Sequence, residues 1–271
     1  MNYKYVFIII AACMFVTACR GSDSSPSHEE ESLEAAVDTL DDAGTDGGDS
    51  QVPESAKPSE NALVWNFADK KGWHNGNQGP DVDVVQSEIV DNADCDDGKA
   101  LKIWTNAGTA ERKKVYMPEE YAAGRYEWRV FLPAMGLNDR ALVAGFLYQD
   151  DTHELDFEIG SGTAKSRAAS GAKADELLCY TTCQDNPWTQ KITLIKSNMW
   201  HILVIDLHVV NDRYSVKWLV DGVVIHEQQL EFGIEHAFKI FCSIENLNFI
   251  GDHAATQVHY ALFDYVKFVK Y

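Results

Sequence analysis

The chain has 271 residues and carries 42 acidic against 23 basic side chains, a net charge of −19. Residues 20–60 hold −10 of that, with 12 Asp and Glu against Arg20 and Lys57, and a further −10 spreads over residues 61–271. Neither stretch offers the basic face that a phosphate backbone needs, so a nucleic-acid partner is excluded.

Lys4 is the only charge before an apolar run from Val6 to Val16. A span needs roughly 20 apolar residues, so this shorter run, followed by small residues and Cys19, reads as a secretory signal over residues 1–18. Val16-Thr17-Ala18-Cys19 resembles a bacterial lipobox. That resemblance implies lipidation of Cys19 and an exported protein anchored to a bacterial membrane, at the outer membrane or cell surface. Residues 19–60 are acidic, contain Gly, Ser and Pro throughout and have no aromatic residue. Such a composition cannot bury enough apolar surface to offset chain entropy, and predicts a disordered spacer.

About 210 residues remain from position 61 onward, the size of one sandwich or barrel domain. All seven Trp lie there: Trp65, Trp73, Trp104, Trp128, Trp188, Trp200 and Trp218. Alternation of apolar and polar residues dominates. Arg125 to Leu132 is a strand ended by Pro133. Leu142 to Tyr148 is an apolar strand reaching a polar turn at Gln149-Asp150-Asp151, and His153 to Ile159 returns from it. Ile202–Val210 and Tyr214–Val220 flank Asn211-Asp212, and Asp221-Gly222 turns the chain into Val223–His226. Asx-Gly between β-rich runs is a strong hairpin signal. His259 to Val269 is the last strand. Many short strands separated by turns predict an all-β antiparallel sandwich. Cys95, Cys179, Cys183 and Cys242 permit up to two disulfides in an exported domain, in any of three complete pairings.

The chemistry concentrates in His153-Glu154-Leu155-Asp156-Phe157-Glu158-Ile159. Side chains alternate across a strand, so Glu154, Asp156 and Glu158 share one face while Leu155, Phe157 and Ile159 share the other. Three carboxylates on one strand face repel one another and have poor β-propensity, so folding alone does not ask for them. Glycoside hydrolysis with retention does, because it needs two carboxyl groups about 5–5.5 Å apart. Alpha carbons four apart on a strand are separated by roughly 13 Å; two long Glu side chains leaning together close much of that gap, and the shorter Asp fits between them. Crowding keeps part of the cluster protonated, as a general acid requires.

Glu154-Leu-Asp156-Phe-Glu158 resembles the Glu-x-Asp-x-Glu hallmark of glycoside hydrolase family 16, the lichenases, laminarinases, agarases and carrageenases. Gly124 to Arg129 resembles the family's preceding strand. Trp200-His201, Asp206, Trp218 and Val220-Asp221-Gly222 resemble its hairpin, and Phe263 to Lys267 its closing strand, so the likeness spans about residues 62–271. It implies a concanavalin A-like β-jelly roll and a retaining endo-β-glycosidase. Glu154 would be the nucleophile, Glu158 the acid/base and Asp156 their assistant, with no cofactor required. The substrate it implies is a polysaccharide, by default a β-1,3- or β-1,3-1,4-glucan, with a galactan as the other choice. The pattern departs from lichenases in three places. His153 directly precedes the first Glu, Leu178 to Thr181 lacks the family's Asn, and Ile240 to Asn246 lacks its aromatic. Tyr148, His153, Tyr180 and Trp188 are the candidates for substrate contact. Asp264 matches a family position that ligates a structural calcium ion. Two rival readings of the acidic face remain: a carbohydrate-binding lipoprotein that does not cut, and a surface protein that holds calcium.

Overall fold

The computed structural model describes residues 62–271. The signal segment, the acidic spacer and Cys19 lie outside the described residues.

Among the described residues, fifteen strands and one helix follow in chain order. They are β1 (Ala62–Trp65), β2 (His74–Asn75), β3 (Ser87–Asp91), β4 (Lys99–Thr105), β5 (Arg112–Tyr121) and β6 (Gly124–Leu132). Next come β7 (Ala141–Asp150), β8 (His153–Gly160), the helix α1 (Ala164–Ser170), β9 (Glu176–Cys183) and β10 (Thr189–Lys196). The chain closes with β11 (Met199–Val210), β12 (Arg213–Val220), β13 (Val223–Gln229), β14 (Phe238–Asn246) and β15 (His259–Lys270). An eight-stranded sheet runs β13-β12-β11-β6-β15-β4-β3 with β1 also on β15, and a seven-stranded sheet runs β10-β9-β8-β7-β14-β5-β2. Every strand pair within them is antiparallel. This is the expected sandwich.

Local sequence sets these elements. In β6 burial alternates at every residue, with Tyr126, Trp128, Val130 and Leu132 inside. The β11–β12 turn takes positive φ at Asn211 (52°) and Asp212 (64°), and the β12–β13 turn does so at Asp221 (50°) and Gly222 (82°). Those left-handed pairs suit the primed turns whose twist matches antiparallel strands.

The core fills the space between the sheets. Trp128, Trp218, Tyr126, Tyr214 and Phe157 are among its largest fully buried side chains. Trp128 Nε1 donates to the Phe241 carbonyl at 3.1 Å, which ties the eight-stranded sheet to β14 of the other. The ring lies over Gly145, where a Cβ would sit 3.1 Å from it. A second apolar cluster, including Leu142, Ala144, Phe146, Leu178, Tyr180, Phe241 and Ile250, covers the other face of the seven-stranded sheet. Strand β7 is therefore apolar on both sides, which explains why it reads as one continuous apolar run.

Two features differ from the sequence expectations. Helix α1, seven residues capped by Thr163 and by a left-handed Gly171, is too short to show a helical period. Its buried Arg167 donates to the carbonyls of Ser161, Lys173 and Glu176. The four cysteines form no disulfide; all are free and buried. Cys179 and Cys183 lie four apart on β9, about 13 Å at strand rise, beyond the roughly 7 Å reach of a disulfide. With Cys242 they belong to the apolar core, where burial pushes the Cys183 thiol up to about 12.

Candidate active site

Strand β8 lies between β7 and β9. Leu155, Phe157 and Ile159 enter the intersheet core, which places Glu154, Asp156 and Glu158 together on the opposite face by alternation. Register fixes their neighbours. Glu154 stands opposite Tyr148, Asp156 opposite Phe146 and Glu158 opposite Ala144 on β7. On β9, Asp156 faces Thr182 and Glu158 faces Tyr180. Glu154 and Glu158 are half-buried, while Asp156 is 2% exposed.

Asp156 is hydrogen-bonded to Glu154 and accepts from Gln184 Nε2 at 3.0 Å through Oδ2. Burial is the main cause that raises all three carboxyls. Glu154 is pushed up to about 7, with the Glu245 charge adding to burial and Lys114 opposing it. Glu158 is pushed up to about 8, by burial and then by Glu154 and Glu245. Asp156 goes well above its ordinary value, because burial is reinforced by the charges on both sides of it. Three carboxyls this close lose protons as a unit. Near neutral pH the cluster therefore holds both an ionised carboxylate and a protonated acid, the pair that general acid and nucleophilic chemistry requires.

The neighbouring strands supply counter-charge. Glu245 on β14 sits 3.2 Å from Lys114 Nζ and pairs with Arg112, both on β5. Burial would raise Glu245, yet Lys114 and Arg112 outweigh it and hold the carboxyl below its usual range. A row of rings leads from β5 to the triad. Tyr116 stacks on Phe241 with centroids 5.1 Å apart, and Phe241 stacks on Phe146 at 4.5 Å; Phe146 is the residue paired with Asp156.

Of the predicted contact residues, the structure brings two to the triad. Tyr148 is beside Glu154, its hydroxyl donating to Asp151 at 3.0 Å. Tyr180 is beside Glu158 and packs edge-on against Phe249. Trp188 lies between β9 and β10 and is 62% exposed. His153 is a correction. It occupies an odd position on β8 and packs with Leu155's side of the strand, stacking on His236 at 3.8 Å and edge-on against Phe232. Its Nδ1 is 2.9 Å from Asp150 Oδ1. The same parity that gathers the three acids turns this ring away from them.

Asp264 also departs from expectation. A register shift in the β15–β6 pairing falls between Phe263 and Tyr265, and Asp264 is completely buried there. Its Oδ2 pairs with the Arg129 guanidinium and its Oδ1 accepts from the Asp96 amide at 3.3 Å. With donors facing both oxygens, this carboxylate does not fit a calcium ion, which takes oxygen ligands and repels cations.

Gln184, Lys114, Arg112, Glu245 and Phe146 escaped the sequence reading, and Phe241 corrects it: the sequence pattern predicts no cleft aromatic between Ile240 and Asn246, but this ring lies on the triad's face of the sheet, stacked on Phe146. Parity within each strand was available, but the register that aligns one strand with the next was not.

No protein-family profile matches the chain, and no curated protein matches it by sequence. Solved structures do match. A Bacteroides ovatus mixed-linkage glucan GH16 protein in complex with product shares 14% identity at a TM-score of 0.55, over 76% of this chain and 99% of that one. The fold is the family 16 jelly roll. Bacillus licheniformis beta-glucanase aligns at a TM-score of 0.50 with 15% identity, over 78% of this chain and 98% of its own. LamA from Z. galactanivorans, in complex with laminaritriose and laminaritetraose, aligns at 0.51 with 11% identity, covering 77% and 98%. At these identities the likeness to family 16 structures is one of fold, and function has to be argued from the side chains.

Proposed function

We propose that this chain is a retaining endo-β-glycosidase that cuts a β-1,3- or β-1,3-1,4-glucan by double displacement. The observation that carries the reading is the grouping of Glu154, Asp156 and Glu158 on one sheet face, with burial and mutual repulsion raising all three carboxyls. Glu158, the more strongly raised of the two outer groups at about 8, is protonated at neutral pH and protonates the leaving oxygen. Glu154, helped toward ionisation by Lys114 and by its hydrogen bond with Asp156, attacks the anomeric carbon. Water deprotonated by Glu158 then releases the sugar from Glu154. The half-buried Tyr148 and the buried Tyr180 offer apolar surface to sugar rings on either side.

The glucan preference draws on the fold neighbours, among them a mixed-linkage glucan protein and one bound to laminarin oligosaccharides. The signal and lipobox resemblance supports display on a bacterial membrane through Cys19. The direct test is reducing-sugar release from a panel of laminarin, mixed-linkage glucan, agarose and carrageenan. The wild type releases internal fragments from a glucan and Glu154→Gln releases none. Turnover by both proteins, or binding without turnover by the wild type, contradicts the assignment.

A further inference from the structure

Gln184 follows the last residue of β9. Its backbone N–H donates to the Glu154 carbonyl at 3.2 Å, which prolongs the β8–β9 ladder by one step. Its side-chain Nε2 reaches Asp156 Oδ2 at 3.0 Å. Around that carboxyl the paired positions make no hydrogen bond to it. Phe146, paired with Asp156 on β7, has no polar side-chain atom. Thr182, paired with it on β9, has its hydroxyl engaged by Gln190 Nε2 at 3.3 Å and forms no hydrogen bond with Asp156. Among the described residues Gln184 is thus the one side chain whose N–H is seen to donate to Asp156.

Resting on the glycosidase reading, we propose that Gln184 is a positioning residue that selects which oxygen of Asp156 carries the proton. A primary amide N–H can only donate, so Oδ2 is held as an acceptor. The acid proton then belongs on Oδ1, where it is available to Glu154. Glu154 receives this hydrogen bond while ionised, and it receives it again as the departing carboxylate when water releases the sugar. The proton stays on Asp156 throughout; the proton that moves in each half-reaction is carried by Glu158.

Several groups bear on this proton and must be weighed with it. They are Glu154 and Glu158 on β8, Tyr148 on β7, Glu245 on β14, Arg112 and Lys114 on β5, and Tyr180 and Cys183 on β9. Among the described residues Gln184 alone of these neighbours is seen to donate an N–H to Asp156, and it carries no charge. Removing it frees the carboxyl to rotate and to share its proton elsewhere, which weakens the ionised form of Glu154.

The test compares Gln184→Met, which keeps length and loses the donor, with Gln184→Glu, which regains a donor only when protonated. For Gln184→Met the acidic limb of the kcat/KM profile moves upward, so activity falls about tenfold near pH 6 and about twofold or less near pH 8. Gln184→Glu loses activity at high pH and recovers toward low pH. A merely structural role would lower both profiles uniformly, and that result overturns the inference. Infrared difference spectra give a readout independent of turnover. The protonated carboxyl band that disappears in Asp156→Asn shifts in Gln184→Met, since its carbonyl has lost a donor; an unshifted band overturns the inference. A shifted band in a protein that cuts no glycan keeps the Gln184 assignment and removes the glycosidase reading. If Gln184→Met does not fold, the pH-dependent recovery of Gln184→Glu decides.

Discussion

Replacing Glu158 by Gln should stabilise this protein in alkali. Glu158 moves from an ordinary 4.5 to about 8 in the folded chain. A carboxyl whose folded value is raised favours the protonated form, so its contribution is present below the unfolded value. That contribution is lost as pH rises from about 4.5 through about 8. At about 1.4 kcal/mol per unit the full displacement is worth at most about 5 kcal/mol. Because Glu154 and Asp156 titrate with it, removing one charge lets the others relax, and about 2–3 kcal/mol is the expected gain. For a domain of this size that corresponds to about 5–10 °C in Tm. Thermal unfolding at about pH 5 and about pH 9 should therefore show wild type and Glu158→Gln nearly equal in acid, with the variant higher by that amount in alkali. Glu231→Gln, at an exposed site, is the control and should show no such difference. Parallel Tm curves for wild type and Glu158→Gln would refute the claim that this carboxyl is held protonated by its surroundings.

Trp128→Ala empties the contact between the two sheets and should cost about 3–5 kcal/mol in urea unfolding. Arg129→Ala leaves Asp264 buried without its partner, costing about 3–5 kcal/mol, and adding calcium or a chelator to the wild type should leave its Tm unchanged. Reductant should also leave Tm unchanged, because the four cysteines of the folded domain are free. In glucan hydrolysis Tyr180→Ala should lower kcat/KM about tenfold or more, whereas His153→Ala should lower it no more than about threefold, a difference of about 0.7 kcal/mol or more in transition-state binding.

What could be read from the sequence followed the range of the interactions concerned. Strand alternation and Asx-Gly turns are local, so β6, β8 and the β11–β12–β13 hairpins fall within a few residues of where the sequence puts them. The same local parity put Glu154, Asp156 and Glu158 on one face, and applied to His153 it would have placed that ring on the other. The Lys114–Glu245 pair joins residues 131 positions apart in sequence, and its effect on Glu154 depends on the order β5-β14-β7-β8. No single strand contains that order. The cysteines show the other limit: composition allows pairing, but only geometry shows that Cys179 and Cys183 sit too far apart along β9. Asp264 matched a family position, yet Arg129 on the adjacent strand β6 had already taken its charge.

Covalent trapping with 2-deoxy-2-fluoro glycosides of the cleaved glucan tests the central assignment most directly, read by mass spectrometry of the labelled peptide. A sugar attached to Glu154, with turnover products that keep the β-configuration, is the predicted result. Label on another residue, or products of inverted configuration, would contradict it.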